Sequence, residues 1–391
     1  MSEHAALPPS SAEQWGHCSG AMLAQQGMPD RYLEESAEGT AAHWVFSETI
    51  INRRPLCADM LDTKAPNGVV IDDKMVDGAQ VMVNEVYDTL RKHAGAPYDL
   101  RVEQRVTTGL HPDVWGTPDV SLYYPQLLYL FDYKHGHRDC QPKDNKQMAC
   151  YLNGLAERYK IDGREDQHID VVVRIVQPFC YTARGPVKTH HGKLSDWRGV
   201  WDQLAFQAEE ARNNPTLSPG KHCRDCKAVG KCAATREATH DFLGYARRTY
   251  EMDKMTAHDL AVERVTLVDG LAVAAKRLSA VEADLMQRIK NGEPGSGLVL
   301  ENGRDSTAWL HPAAHITAVC NLLGVDATKP GLKTPKQVLD SAPPALSAAV
   351  QSVVRANTRR VPGALKLADD SDNKVSRAFQ PPKEGSTNAI T

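Results

Sequence analysis

The sequence predicts an α/β core followed by a mainly helical C-terminal region. Three observations predict it. Apolar residues recur at helical spacing over 38–51 and 73–93, then switch to strand-like alternation from Leu100 onward. Ile169 to Phe179 is the strongest strand signal in the chain. From Met255 the character changes: 258–291 reads as one long helix, or two with a break near Gly270, and it holds few aromatic residues.

The elements follow in order. The helix over 38–51 is separated by a Pro/Asn/Gly-rich loop from a second over Asp73–His93. Leu100–Thr107 and Gly116–Tyr124 alternate as strands, and Leu127–Tyr133 is a third apolar run, with Pro125-Gln126 short enough for a hairpin turn. A helix is expected from Lys143 to Tyr159, and another from Ser195 to Asn213, with the serine as N-cap and Pro215 as a stop. Pro and Gly at 294–297 mark a boundary, 298–365 reads as a small mixed module, and the polar end is expected to be a flexible tail. The expected organisation is a first domain over 1–245, a helical or mixed module over 246–365 and the tail over 366–391.

Composition narrows the function classes. Of 391 residues 41% are hydrophobic and 24% charged, so a folded core is expected. Lys+Arg 46 against Asp+Glu 49 gives a net charge of −3, so nucleic acid can be held only by a local basic patch. The chain shows neither a signal peptide nor a membrane-length apolar run, and a soluble, cytoplasmic protein with no membrane partner is expected. Nine cysteines in such a chain read as thiols. Cys57, Cys140, Cys150, Cys180 and Cys320 are scattered and read as small buried apolar residues.

The hairpin carries the sharpest chemical signal: Gly116-Thr-Pro-Asp119, then Asp132-Tyr-Lys134. Residues two apart on a strand share a face, so Asp132 and Lys134 project together, and a turn at Pro125-Gln126 brings Asp119 level with Asp132. Two carboxylates and an ammonium at one spot suit a hard divalent cation and a phosphate substrate. The plain alternative is a surface salt bridge between Asp132 and Lys134. Upstream, Gly39-Thr-Ala-Ala-His43 offers an imidazole, with a glycine expected to permit close packing. Downstream, Gln147 and Tyr151 lie four apart on one helical face. Between them runs a loop rich in cations, with His135, His137, Arg138, Lys143 and Lys146 as candidates for contacting DNA phosphates.

Taken together, GxxxH at His43, GTPD at Asp119, Asp132-Tyr-Lys134 and QxxxY at Gln147–Tyr151 resemble the PD-(D/E)XK nucleases of the RecB type, the branch that includes the CRISPR-associated exonucleases. More narrowly, the whole chain is similar to a phage and prophage family, including its C-terminal helices and Asp/Ser-rich tail. The resemblance implies a restriction-endonuclease-like core, a mixed central sheet flanked by helices. It also implies that His43, Asp119 and Asp132, helped by the Tyr133 carbonyl, bind Mg²⁺ or Mn²⁺. Lys134 would position or activate the attacking water, and Gln147 and Tyr151 would orient the strand or support the metal ligands. Glu103, on the preceding strand, reads equally as a supporting carboxylate and as an outward-facing charge. Asp132 stands where many relatives carry Glu.

Cys223-Arg-Asp-Cys226 and Cys232 give three thiolates able to wrap one metal centre, and Cys18 is the candidate fourth. The CRISPR-associated and AddB-type nucleases show this split around a [4Fe–4S] cluster, so the resemblance implies an iron–sulfur staple joining the two ends of the first domain. Zinc on the same ligands, with His17 or His222 replacing one of them, and unligated thiols are the alternatives. Lys221, Arg224, Lys227 and Lys231 nearby are expected to favour thiolates.

The function these readings lead to is a metal-dependent DNA exonuclease that processes duplex ends for phage recombination or replication in a bacterial host. A structure-specific endonuclease or nickase and a non-catalytic end- or single-strand-binding factor are the alternatives. No GxxxxGK[ST] is present in the sequence, so unwinding would come from another protein. Only 6% aromatic residues argue against an extended base-stacking platform. A phage single-strand-binding or annealing protein is an expected partner, and a homo-oligomer is expected by analogy with ring-forming phage exonucleases.

Overall fold

The computed structural model describes residues 5–28, 33–180, 185–247, 252–311, 313–329 and 331–369. The chain divides into two compact units, Met1–Leu278 and Ser279–Thr391. The division falls inside a long helix, not at the expected 245/246 boundary.

The first unit opens with two short helices, α1 (Ala12–Trp15) and α2 (Ala21–Gln25). Then come α3 (Leu33–Ile51) and α4 (Asp73–Lys92), the latter capped by Asp72, whose carboxylate accepts from Met75 N. Strands β1 (Asp99–Val102), β2 (Val106–Thr107), β3 (Trp115–Gly116), β4 (Val120–Tyr124) and β5 (Leu127–Tyr133) follow. Helix α5 (Lys146–Tyr159) starts three residues later than its sequence suggests, because Asn145 caps it by accepting from Gln147 N and Met148 N. Strands β6 (Asp170–Val176) and β7 (Val187–Lys193) and helices α6 (Arg198–Asn213), α7 (Ala233–Ala246) and α8 (Ala257–Lys290) complete the series.

One mixed sheet of five strands organises the unit, in the order β1-β4-β5-β6-β7. Its pairings are antiparallel except for β5 with β6, which run parallel with α5 between them in sequence. The Pro125-Gln126 turn is as expected, with Gln126 in the left-handed region at φ 64°. Alternation along β5 divides the core. Tyr129, Phe131 and Tyr133 pack with α3 and α4, while Leu128 and Leu130 pack with α5 and α6 on the other face. This is the α/β architecture with a mixed central sheet flanked by helices.

Several expectations need correction. The strands expected over 100–107 and 116–124 are each broken in two, the first at Glu103. Ser195 is not an N-cap: it lies in a 3₁₀ turn, Leu194–Trp197, that leads into α6. Helix α8 does not break at Gly270, where a Cβ would run into the Phe242 ring; the glycine lets α7 and α8 approach closely.

The second unit mixes short strands with helices, as expected of the small module over 298–365. Its elements are β8 (Leu298–Asn302), β9 (Ser306–Trp309), α9 (Ala313–Leu322), β10 (Thr328–Lys329), β11 (Gly331–Leu332), α10 (Pro335–Asp340), α11 (Ser347–Ala356), β12 (Thr358–Val361) and β13 (Leu365–Asp369). Strand β8 pairs with β13 and β9 with β12, around a small core that includes Ile316, Cys320, Val338 and Val350. Strand β13 carries order into the start of the expected tail, whose remainder lies outside the described residues. No helix among the described residues is long and apolar enough to cross a membrane.

Candidate metal and hydrolysis site

The sheet presents the candidate residues at the start of β4 and the end of β5. Val120 stands opposite Phe131 at the end of the paired segment, and Asp119 and Asp132 are the next residues outward on the two strands. Asp119 is fixed by the backbone: Tyr133 N donates to its Oδ2 at 2.6 Å. The Tyr133 carbonyl sits on the last residue of β5, and Lys134 N then donates to Val176 O at 2.8 Å.

Helix α3 brings His43 over this end of the sheet, its ring nearly perpendicular to that of Tyr133. His43 Nδ1 lies 3.3 Å from Asp119 Oδ1 and 3.3 Å from Glu103 Oε1. The donor atoms of His43, Glu103 and Asp119 all fall within 4.8 Å of one another. Glu103 is thus a member of the cluster rather than an outward-facing charge. It enters through an unusual backbone, φ 49° at the end of β1, with its N–H donating to Asp119 O at 2.9 Å. A non-glycine residue held there costs on the order of 1 kcal/mol or more.

Asp132 faces α5 and is almost fully buried. Gln147 Nε2 donates to its Oδ1 at 3.1 Å, and Lys134 Nζ stands 2.9 Å from its Oδ2 while donating to Gln147 Oε1 at 3.0 Å. The lysine is within ion-pair distance of Oδ2, and among the described residues no other donor reaches that oxygen. Gln147 Nε2 also donates to Tyr151 OH at 3.4 Å. Gly116 makes room for Tyr151: a Cβ there would stand 3.1 Å from its ring and 2.9 Å from Pro9.

The electrostatics follow from burial around a negative cluster. Burial disfavours charge on His43, but Asp119 and then Glu103 outweigh it and raise the imidazole to about 10. Burial raises Asp132 above the carboxylate range, with Lys134 pulling the other way. Burial also opposes charge on Lys134, yet Asp132 and Asp119 hold the ammonium above the ordinary lysine value. Glu103 is raised by burial against the pull of His43.

The cationic loop is less open than expected. His135 is buried, with Nδ1 2.9 Å from Tyr133 OH, and burial together with Lys74 lowers it to about 4. An uncharged, enclosed imidazole makes no phosphate contact, so it is withdrawn from the DNA-facing group. Arg138 pairs with Asp225, and Lys146 Nζ lies 3.2 Å from Glu13 and 2.8 Å from His17. His137 is exposed and bonds Phe179 O through Nδ1 at 2.7 Å. Lys143 is exposed with no partner among the described residues. Gly39 also departs from expectation: nothing lies within 4 Å of its Cβ position, so it serves no internal packing. A glycine inside a helix costs about 1 kcal/mol relative to alanine.

Cys18, Cys223, Cys226 and Cys232 line one pocket with about 350 Å³ of space, including its opening. The chain segments are fastened there directly: Thr216 N donates to Ser19 Oγ at 2.9 Å and Lys227 N to Gln25 Oε1 at 2.9 Å. Burial raises the thiols of Cys18, Cys223 and Cys226, with the neighbouring thiols adding to it. The nearby cations therefore do not produce thiolates in this state; Lys221 pairs with Asp269 and Arg224 with Asp225. His222 stacks on His17, ring centroids 5.4 Å apart, and burial lowers its pKa. Of the scattered cysteines all are buried except Cys140, which is half-buried.

Sequence reasoning missed Trp44. It lines, with His43 and Glu103, an open cleft beside the cluster. The signal was present: Ser36, Thr40, His43 and Ser47 share its helical face at spacings of three and four. Over residues 4–375 the sequence matches the family described as "Protein of unknown function (DUF2800)", and the chain belongs to that family.

Proposed function

We propose that this chain is a metal-dependent deoxyribonuclease of the PD-(D/E)XK type, acting on DNA ends in phage recombination or replication. One observation carries the reading: His43, Glu103 and Asp119 converge within 4.8 Å, and the buried Asp132–Lys134–Gln147 network stands beside them. The donor set fits Mg²⁺ or Mn²⁺, being mainly carboxylate oxygen with one imidazole. Asp132, expected as a ligand, stands outside that group of three, with its Oδ2 2.9 Å from Lys134 Nζ. A divalent cation bound there supplies Lewis-acid polarisation of a phosphoryl oxygen and charge neutralisation.

The chain's own residues then have distinct tasks. Lys134 stays an ammonium, so it orients the attacking water and balances charge on the phosphate rather than taking the proton. Gln147 fixes the spacing of Lys134 and Asp132, and Tyr151 braces Gln147. Lys143 and His137 are the loop groups left open for neighbouring phosphates.

The four cysteines fit a [4Fe–4S] cluster as a staple. Two segments about two hundred residues apart place four thiols around one cavity whose other walls are largely apolar, among them Ala21, Leu217 and Val229. Zinc on the same thiols is the alternative, and elemental analysis of anaerobically purified protein separates the two.

The test of function uses linear duplex DNA, labelled at the 5′ or 3′ end, and a closed circle, with Mg²⁺ or Mn²⁺. Digestion of the linear form alone, lost in Asp119→Ala and Lys134→Ala, is the expected result and gives the polarity. Cutting of the circle would make it an endonuclease; end-binding without cutting would make it a binding factor.

A further inference from the structure

The cleft beside the His43–Glu103–Asp119 cluster has about 1270 Å³ of space, including its mouth. One wall is a single face of α3, with Gly39, Thr40, Trp44 and Ser47; the other is the turn at Ala65–Asn67. The walls are tied together, because Asn67 Nδ2 donates to Ala37 O at 2.8 Å and Val69 N to Asn67 Oδ1 at 3.2 Å. The cleft is therefore formed without a ligand.

Its lining is chemically selective. Among the described residues its lining includes no lysine or arginine, and Glu103 stands beside His43. Two of its hydroxyls are already used within the helix, Thr40 donating to Ser36 O and Ser47 to Trp44 O. A phosphate would meet the Glu103 carboxylate there, and the His43 ring beside it is already paired with Glu103 and Asp119. What the cleft offers is an indole whose N–H has no partner among the described residues, flanked by neutral, small groups. Gly39 adds an independent observation. It is a helix-interior glycine lining the cleft, and among the described residues no atom stands within 4 Å of its Cβ position to require it.

We propose that this cleft binds an unpaired nucleobase of the strand whose phosphate lies at the cluster, stacked against Trp44, with Gly39 keeping the space clear. The inference rests on the nuclease reading for the identity of the ligand. It makes the substrate a frayed or single-stranded end, because a paired base is occupied on its hydrogen-bonding edge and stacked within the duplex.

The experiment measures binding, not cleavage, in Ca²⁺, using a short fluorescent single-stranded oligonucleotide and a series carrying one abasic position each. Wild type is expected to bind about tenfold less well when the abasic position falls in the cleft, the range of one base–aromatic stack. Gly39→Leu extends a side chain from a Cβ position that meets nothing within 4 Å; it should weaken the intact oligonucleotide to the same degree and erase the abasic difference. Trp44→Phe should retain most of the discrimination and Trp44→Leu little, with Gly39→Ala between wild type and Gly39→Leu. If Gly39→Leu keeps the affinity and the abasic difference, or if no abasic position matters, the proposal is overturned. Base-dependent binding without DNA cleavage in Mg²⁺ or Mn²⁺ would overturn the nuclease reading alone. Cleavage with no base dependence would overturn the cleft alone.

Discussion

Gln147 holds Lys134 from above: its amide oxygen accepts from Lys134 Nζ at 3.0 Å, while its amide nitrogen donates to Asp132 at 3.1 Å. A single amide thereby presents an acceptor to a cation and a donor to an anion, an arrangement no carboxylate can copy. Gln147→Glu places a third acceptor against Asp132, and Gln147→Ala removes the brace. Both are expected to lower cleavage by roughly 10- to 100-fold, as groups that orient metal-site residues do. Gln147→Glu should fall further than Gln147→Ala. Equal activity of Gln147→Ala and wild type at saturating Mn²⁺ would refute the assigned role.

Glu103 pays for its place in the cluster with a left-handed backbone. Glycine adopts that conformation freely, so Glu103→Gly relieves strain while removing a carboxylate that faces His43. The expected outcome is divergent: Mn²⁺ affinity and cleavage fall, while the unfolding free energy stays level or rises by about 1 kcal/mol. Calorimetry in the absence of metal, beside a metal titration, checks both halves. A large loss of stability would mean that Glu103 is structural.

How legible the molecule was depends on the element. Strand β5 and its hairpin were plain because inward residues are apolar on both faces and the turn has two residues. Strand β7, Val187–Lys193, was not, because its sequence is polar. Lys188 is buried and pairs with Asp139, also donating to Gln177 Oε1 at 2.9 Å, so an inward position carries a charge that hides the alternation. That Asp119 and Asp132 flank the last β4–β5 pair, Val120 with Phe131, was readable from the hairpin. Glu103 could not be settled, since a positive φ at glutamate leaves no sequence mark. Arg138 and Lys146 looked free because their partners, Asp225 and Glu13, lie about ninety and one hundred and thirty residues away.

Metal binding at His43 is expected to displace a proton. Burial opposes the charged imidazole, but Asp119 and Glu103 raise it to about 10, so without metal it is protonated at neutral pH, while a ligating imidazole must be neutral. Raising the pH therefore weakens the competing proton. Mn²⁺ affinity should climb by up to about tenfold per pH unit below that value, with proton uptake by the buffer during titration. His43→Gln should flatten this dependence. A pH-independent affinity in wild type between 6.5 and 8.5 would exclude His43 from the ligands.

The cysteine cavity and the cationic loop are mechanically joined, since Asp225, next to Cys226, pairs with Arg138, and Lys146 reaches Glu13 and His17 near Cys18. If a cluster staples these segments, its binding energy is part of the folding energy of that end of the unit. Cys226→Ser is expected to lose the brown colour and iron and to unfold at lower temperature. Amide exchange should quicken in residues 5–25 and 134–146, while the β5–β6 amides stay protected. Asp225→Ala removes only the exposed ion pairs with Arg138 and Arg224, so it should keep the colour and cost less than about 1 kcal/mol. The contrast separates a staple from a salt bridge: fast exchange over 134–146 in both variants would assign the coupling to Arg138 and Asp225, and a colourless, iron-free wild type of full stability would remove the cluster.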